Sequence, residues 1–299
     1  MSRIPRILLA VVALALPAGC AGPEGTGPGV TGTDATSSPG AAAGPTAASA
    51  VVLPPVAGRF DYQLGAAYEP AGGLDVVVRD ASAEPLEGAY SVCYVNGFQT
   101  QPGEAGRWAG ENEELLLRDA DGELVVDPEW PDEFVLDPST AQRRERILAV
   151  VGPVVAGCAA DGFDAVEFDN LDTWTRFGDP ATGLVERAGA LALAGAYVEL
   201  AHGVGLAVGQ KNAAEAAGAG RELGFDFAVV EECGAYGECG AYRAVYGDRV
   251  LQVEYTDNLP VSFGELCADP DRAPLTILRD RGLVGPGVPG YRLERCGVR

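Results

Sequence analysis

The chain has 299 residues, with 43 acidic side chains against 21 lysines and arginines and a formal charge of −22. Such an excess of negative charge argues against nucleic acid and other polyanions as partners, and would attract a cationic one. The length suits one sizeable domain with tails, and a single histidine, His202, beside seven cysteines without a paired C-x-x-C spacing gives no metal centre.

At the N-terminus, Arg3 and Arg6 precede an apolar stretch over 7–16 that is too short to span a bilayer. This reads as an export signal over 1–20. Its end, LPAGC, resembles a bacterial lipobox, with Cys20 as the lipidated residue of the mature chain. Plain secretion with cleavage near Ala21 is the alternative, because Pro17 is unusual at its position. Either route predicts an extracellular protein, whose only membrane contact is a lipid at Cys20. Residues 21–55 are mostly Gly, Pro, Thr, Ser and Ala, which bury too little apolar surface to fold and read as a tether. The folded domain is then 56–299, and nothing in it requires more than a monomer.

Apolar, β-branched runs at 60–64, 75–78, 90–95, 165–168, 206–209, 227–230, 250–253 and 275–278 predict eight strands. Helical periodicity occupies 141–158, 184–202 and 213–223, between several of them. This β-then-α rhythm predicts a single (β/α)8 TIM barrel, with a doubly wound open sheet as the alternative. The acidic segment 101–137, holding Trp108 and Trp130, breaks the rhythm and is expected to cross the barrel top. An exported chain with six cysteines besides Cys20 favours disulfides. The close pair is Cys233 with Cys239; Cys267 with Cys296 would staple the C-terminal segment, leaving Cys93 with Cys158.

Strands of parallel α/β folds carry their sites at their C-terminal ends, and here those ends are acidic. DGFDAVEFDNLD delivers Asp169, Asn170 and Asp172; FDFAVVEEC ends in Glu231 and Glu232; RVLQVEYTD ends in Glu254 and Tyr255. Strand alternation admits only one of Glu231 and Glu232 to the barrel mouth, and the phase set by Val229 favours Glu231. Lys211 and Asn212 end strand five, where a lysine between acidic strand ends keeps Asp169 ionised; a plain structural ion pair is the other reading. Asp80 and Tyr94 complete a ring of polar groups, Tyr94 with core packing as an equal alternative. Asp172 either meets substrate or caps the helix after it, and Asn170 either meets substrate or holds the Asp169 rotamer. No phosphate-binding glycine loop, no G-x-S-x-G elbow and no calcium-loop spacing is present, so no cofactor or metal is expected.

The succession CYVNG, GFDAVEFDNLD, GLAVGQKN, FAVVEECGAYGEC and VLQVEYTD resembles glycoside hydrolase family 114, the endo-alpha-1,4-polygalactosaminidase-like TIM barrels, over about 60–258. Two positions depart from the family pattern: Tyr62 stands for its tryptophan before Gln-Leu, and Val135 for the tryptophan of its Trp-Leu-Asp piece, with Asp137 kept. The resemblance implies that Asp169 and Glu231 are the catalytic pair, with Glu254 as a rival acid. It also implies a galactosamine-containing polysaccharide as substrate, and the acidic strand ends suit the free ammonium groups of such a polymer. A carbohydrate-binding lipoprotein without turnover, using the same barrel mouth, is the competing class.

Overall fold

The computed structural model describes residues 51–297; the export signal, Cys20 and the tether up to residue 50 lie outside the described residues. Eight parallel strands follow one another round a single sheet: β1 (Phe60–Gln63), β2 (Val76–Asp80), β3 (Tyr90–Asn96), β4 (Ala165–Asp169), β5 (Ala207–Lys211), β6 (Phe227–Glu231), β7 (Val250–Tyr255) and β8 (Leu275–Arg279). A ninth strand, β9 (Leu293–Arg295), runs antiparallel to β8. The expected (β/α)8 barrel therefore appears as a nearly closed nine-stranded sheet. No backbone ladder joins β8 to β1 among the described residues. Side chains cross that seam instead: Arg279 Nη1 meets Asp61 Oδ1 at 2.6 Å, and Arg295 Nε donates to Phe60 O at 2.8 Å. Arg279 and Asp61 are both fully buried, so their pairing has to be complete, and Arg279 also donates to Tyr62 O, Val284 O and Arg292 O.

Alternate residues of each strand point inward, and Phe60, Val76, Val92, Ala165, Ala207, Phe227, Leu251 and Leu275 are among those that fill the barrel. The outer strand faces pack against the helices, chiefly α2 (Ala141–Asp161) and α4 (Arg187–Gly203), through Val151, Val155, Leu193 and Tyr197. Because both faces of these strands are buried, their sequences are apolar nearly throughout and do not show which phase faces inward.

The helical rhythm holds for only part of the ring. Between β1, β2 and β3 the connections are loops. The segment 101–137 carries α1 (Ala105–Glu111) and antiparallel bridges such as Leu116 to Leu136 and Val126 to Phe134. A short helix, α3 (Thr173–Arg176), follows β4; the expected helix over 213–223 is a single turn, 214–216, and then α5 (Ala217–Leu223). After β6 and β7 come α6 (Cys233–Tyr236), α7 (Cys239–Tyr246) and α8 (Phe263–Ala268), which have no long apolar period to announce them. Disulfides join Cys93 to Cys158, Cys233 to Cys239 and Cys267 to Cys296, one of about 15 pairings that six cysteines leave open. Among the described residues no helix is long and apolar enough to cross a membrane.

Candidate active site

Three neighbouring strands end alike. Asp169, Lys211 and Glu231 are the last residues of β4, β5 and β6, and each is followed by a non-glycine residue in the left-handed region: Asn170 at φ 64°, Asn212 at φ 46° and Glu232 at φ 60°. Asparagine tolerates this conformation better than most residues, whereas glutamate adopts it at a cost of about 1–2 kcal/mol. The turns stop each strand abruptly, so that the three terminal side chains converge at the mouth of the barrel.

Lys211 is the hub. Its Nζ lies 3.0 Å from Asp169 Oδ1 and 3.1 Å from Glu231 Oε2, and it donates to Tyr62 Oη at 3.1 Å. Burial by itself would lower the lysine pKa, but Asp169, Glu231 and Glu167 outweigh it and hold the ammonium well above its ordinary value. Asp169 receives two more bonds, from Tyr94 Oη at 2.7 Å and from its neighbour's backbone, Asn170 N, at 2.7 Å. Burial pushes its carboxyl up, yet Lys211, Tyr94 and Asn170 prevail and hold it below the ordinary range. Asp169 is an anion. Glu231 accepts from Tyr255 Oη as well as pairing with the lysine. Lys211 thus serves both carboxylates, where the sequence suggested a partner for Asp169.

Under this layer lies a group that sequence reasoning missed. Glu167 is two residues before Asp169 on the same inward face, fully buried, and its Oε1 accepts from Tyr62 Oη at 2.7 Å while Oε2 has no hydrogen-bond partner among the described residues. Burial raises it to about 8, against the opposing effect of Lys211. The available signal was spacing: a glutamate two positions before the candidate aspartate shares its face. Tyr62, in place of the family's tryptophan, is the floor of the site and a link between Lys211 and Glu167.

A cleft of about 1160 Å³ opens above these groups; nine of its lining side chains are carboxylic acids and three are cations. Most predicted site residues line it, but not all as substrate contacts. Asp80 is engaged by Ser82 and by Gln101 Nε2 at 2.6 Å. Asn212 Oδ1 accepts from Glu231 N at 2.9 Å, which fixes the end of β6. The Asn170 side chain bridges Asn96 and Arg176, so the backbone of this residue, not its amide, restrains Asp169. Asp172 makes no side-chain cap to α3 and lies 4.0 Å from Arg176 Nε; burial raises its pKa against that cation.

Two expectations need correction. Glu254 is absent from the cleft: it is fully buried on the outer face of β7, accepting from Gly234 N and Gln252 Nε2, each at 2.7 Å. Gly234 presses so close that a Cβ there would sit 2.8 Å from Glu254 Oε1. The inward residue of the pair is Tyr255. Glu232, assigned to the opposite face by alternation, does line the cleft, because the left-handed turn ends the alternation. It pairs there with Arg281, which also binds Asp257 and lies 4.1 Å over the Tyr255 ring. Elsewhere, His202 pairs with Asp226 at 2.8 Å on the helical layer. Cys233, Cys239 and Glu254 form a compact group of metal-ligand type, but the two sulfurs are bonded to each other and offer no thiolate.

The acidic cleft lies at the carboxyl ends of the strands of a parallel barrel, the face at which barrel enzymes carry their active sites. The chain belongs to glycoside-hydrolase family GH114, whose model matches residues 40–298, and it is accordingly a glycoside hydrolase. Among solved structures it is similar to Aspergillus fumigatus Ega3 in complex with galactosamine, at 19% identity and a TM-score of 0.64, covering 83% of this chain and 98% of that one. It is also similar to the glycoside hydrolase domain of PelA from Pseudomonas aeruginosa, at 16% identity and a TM-score of 0.54, covering 77% and 97%. A search of curated proteins finds no significant match.

Proposed function

We propose that the protein cleaves an alpha-1,4-linked, galactosamine-containing polysaccharide, with Asp169 as nucleophile and Glu231 as general acid and base. The observation that carries this reading is the lysine bridge. With legs of 3.0 Å and 3.1 Å to Lys211 Nζ, laid end to end, the nearest oxygens of the two carboxylates stand at most 6.1 Å apart. Two carboxylates sharing one ammonium in this way stand close together, which suits the shorter ~5–5.5 Å separation of a retaining enzyme better than the roughly 6.5–9.5 Å of an inverting one. Asp169 suits the nucleophile because three donors keep it ionised.

In the first step Asp169 attacks the anomeric carbon while Glu231 gives its proton to the departing glycosidic oxygen. In the second, Glu231 takes a proton from water, which displaces Asp169 and restores the original anomeric configuration. Lys211 stays protonated throughout and stabilises the carboxylate that carries charge at each stage. A substrate with free amines suits the surplus of acids in the cleft, and the galactosamine bound by Ega3 supports the same class. The N-terminal signal supports action outside the cell, as a monomer either tethered by a lipid at Cys20 or secreted.

Proton NMR of the first products from a panel of polymers tests this reading. Partly deacetylated alpha-1,4-galactosamine polymer is expected to give reducing ends in the alpha configuration, ahead of beta-linked glucosamine polymer. Beta products, or faster release from the beta-linked polymer, would overturn it.

A further inference from the structure

The segment 101–137 brings side chains to the cleft that the proposed hydrolysis does not use, Trp130 and Glu133 among them. Residues 127–133 form a turn held at both ends. Asp127 is buried, accepts from Gln99 Nε2 at 2.7 Å and pairs with Arg176 at 2.5 Å. Its own backbone N donates to Glu133 O at 3.0 Å, Trp130 N donates to Asp127 O at 3.1 Å, and Glu133 N donates to Trp130 O at 2.9 Å. At the tip of this fixed turn Trp130 lines the cleft with 53% of its surface exposed. Core packing does not account for it. Glu133 also lines the cleft, yet is only 5% exposed. One of its oxygens accepts from Asn96 Nδ2 at 2.7 Å, and the other has no hydrogen-bond partner among the described residues. Asn96 in turn accepts from Asn170, so Glu133 is coupled through Asn96 to the residue that follows Asp169.

A carboxylate oxygen on a side chain held by Asn96, facing the cleft with no protein donor of its own among the described residues, is placed to take a donor from a ligand. An exposed indole beside it offers a flat apolar face of the size of a pyranose ring. We propose that Trp130 and Glu133 form a subsite for a 2-amino sugar unit with a free amine, the ring lying on the indole and the ammonium donating to the open Glu133 oxygen. The proposal rests on the reading of the cleft as a glycan site and specifies one position within it. Because the turn belongs to the connection between β3 and β4, the subsite lies on the β3 side of Asp169, with Lys211 and Glu231 on the other. Glu133 therefore selects among units flanking the scissile bond and takes no part in breaking it. An N-acetylated unit brings no charge to Glu133 and covers the carboxylate without neutralising it, so acetylation at this position is disfavoured. The electrostatics agree: burial raises Glu133 to about 7, opposed by Asn96 and reinforced by Asp169, Asp132 and Asp127, a setting in which a bound ammonium is strongly favoured.

The test is calorimetric titration of the Glu231→Gln protein, which binds without turnover, with an alpha-1,4-galactosamine pentamer and with its fully N-acetylated counterpart. Adding Glu133→Gln should weaken the free-amine pentamer by about ten-fold to a hundred-fold, the range for a hydrogen bond between charged groups, and leave the acetylated pentamer nearly unchanged. Trp130→Ala, at an exposed position that does not threaten folding, should weaken both. Unchanged affinity of the free-amine pentamer in either variant, or equal loss for both pentamers in Glu133→Gln, would overturn the subsite. Hydrolysis by the wild-type protein is read separately, so the substrate assignment can fail while the subsite stands, and the reverse.

Discussion

Replacing Glu167 by glutamine separates the cost of a buried carboxyl from everything else at the floor of the site. The side chain is fully enclosed, and burial holds its pKa at about 8 against an ordinary 4.5. Below pH 4.5 both folded and unfolded chains carry the proton, and the group costs nothing. As pH rises from there the unfolded chain ionises while the folded one keeps its proton, so wild-type stability falls by about 1.4 kcal/mol per pH unit until the folded pKa is reached. At pH 7 the gap of 2.5 between pH and 4.5 gives a loss of about 3 kcal/mol. Glutamine has the same shape, still accepts from Tyr62 and never ionises. The difference in stability between Glu167→Gln and wild type should therefore move in favour of the variant by about 3 kcal/mol between pH 4.5 and 7, or some 6–12 °C in Tm for a domain of this size. Urea denaturation of both proteins at roughly pH 5, 6, 7 and 8 measures it, and packing differences cancel because only the change with pH is used. Parallel stability profiles across that range would refute the assignment of a neutral, buried Glu167.

Other consequences are equally direct. Lys211→Met removes the cation that outweighs burial at Asp169, so the acidic limb of kcat/KM should move up by about one pH unit or more, with a lower plateau; a profile superimposable on wild type would contradict the lysine's role. Glu254→Gln should keep kcat within about two-fold, since the group is walled off behind Gly234 and makes no contact with the reacting atoms; a drop as deep as that of a Glu231 variant would restore Glu254 as the acid. Arg279→Leu takes from buried Asp61 its cationic partner in the seam, leaving Tyr62 N, Gln63 Nε2 and Tyr68 Oη as its donors, and calorimetry should show a loss of about 3–5 kcal/mol.

Much of the site was legible because the chemistry sits where parallel strands end. Asp169, Lys211 and Glu231 were each readable as the last residue of an apolar run, and the structure brings the three together around one ammonium. Glu254 failed by the same logic. Its strand is buried on both faces, so Val253 and Tyr255 did not reveal which side faced the barrel. Glu232 was misplaced for another reason: alternation holds only while the strand lasts, and a left-handed turn at that very residue is not encoded by a glycine or asparagine. Glu167 looked like one polar position inside a hydrophobic strand, and its importance comes from contacts with Tyr62 and, through it, Lys211, more than a hundred and forty positions apart in the chain. The seam between β8 and β1 was invisible too, since it depends on Arg279 and Arg295 reaching back to the first strand. The short helices after β6 and β7 lack the length over which a period of 3.6 can be read.

The two carboxylates held by Lys211 are the groups on which turnover depends most directly if the proposed roles hold. Reducing-end release from partly deacetylated alpha-1,4-galactosamine polymer should be followed for the wild-type protein, Asp169→Asn and Glu231→Gln, with circular dichroism confirming that all three are folded. Release by the wild type and a fall of about a thousand-fold or more in each variant are expected. Release by either variant at a rate near that of the wild type would contradict the proposed roles.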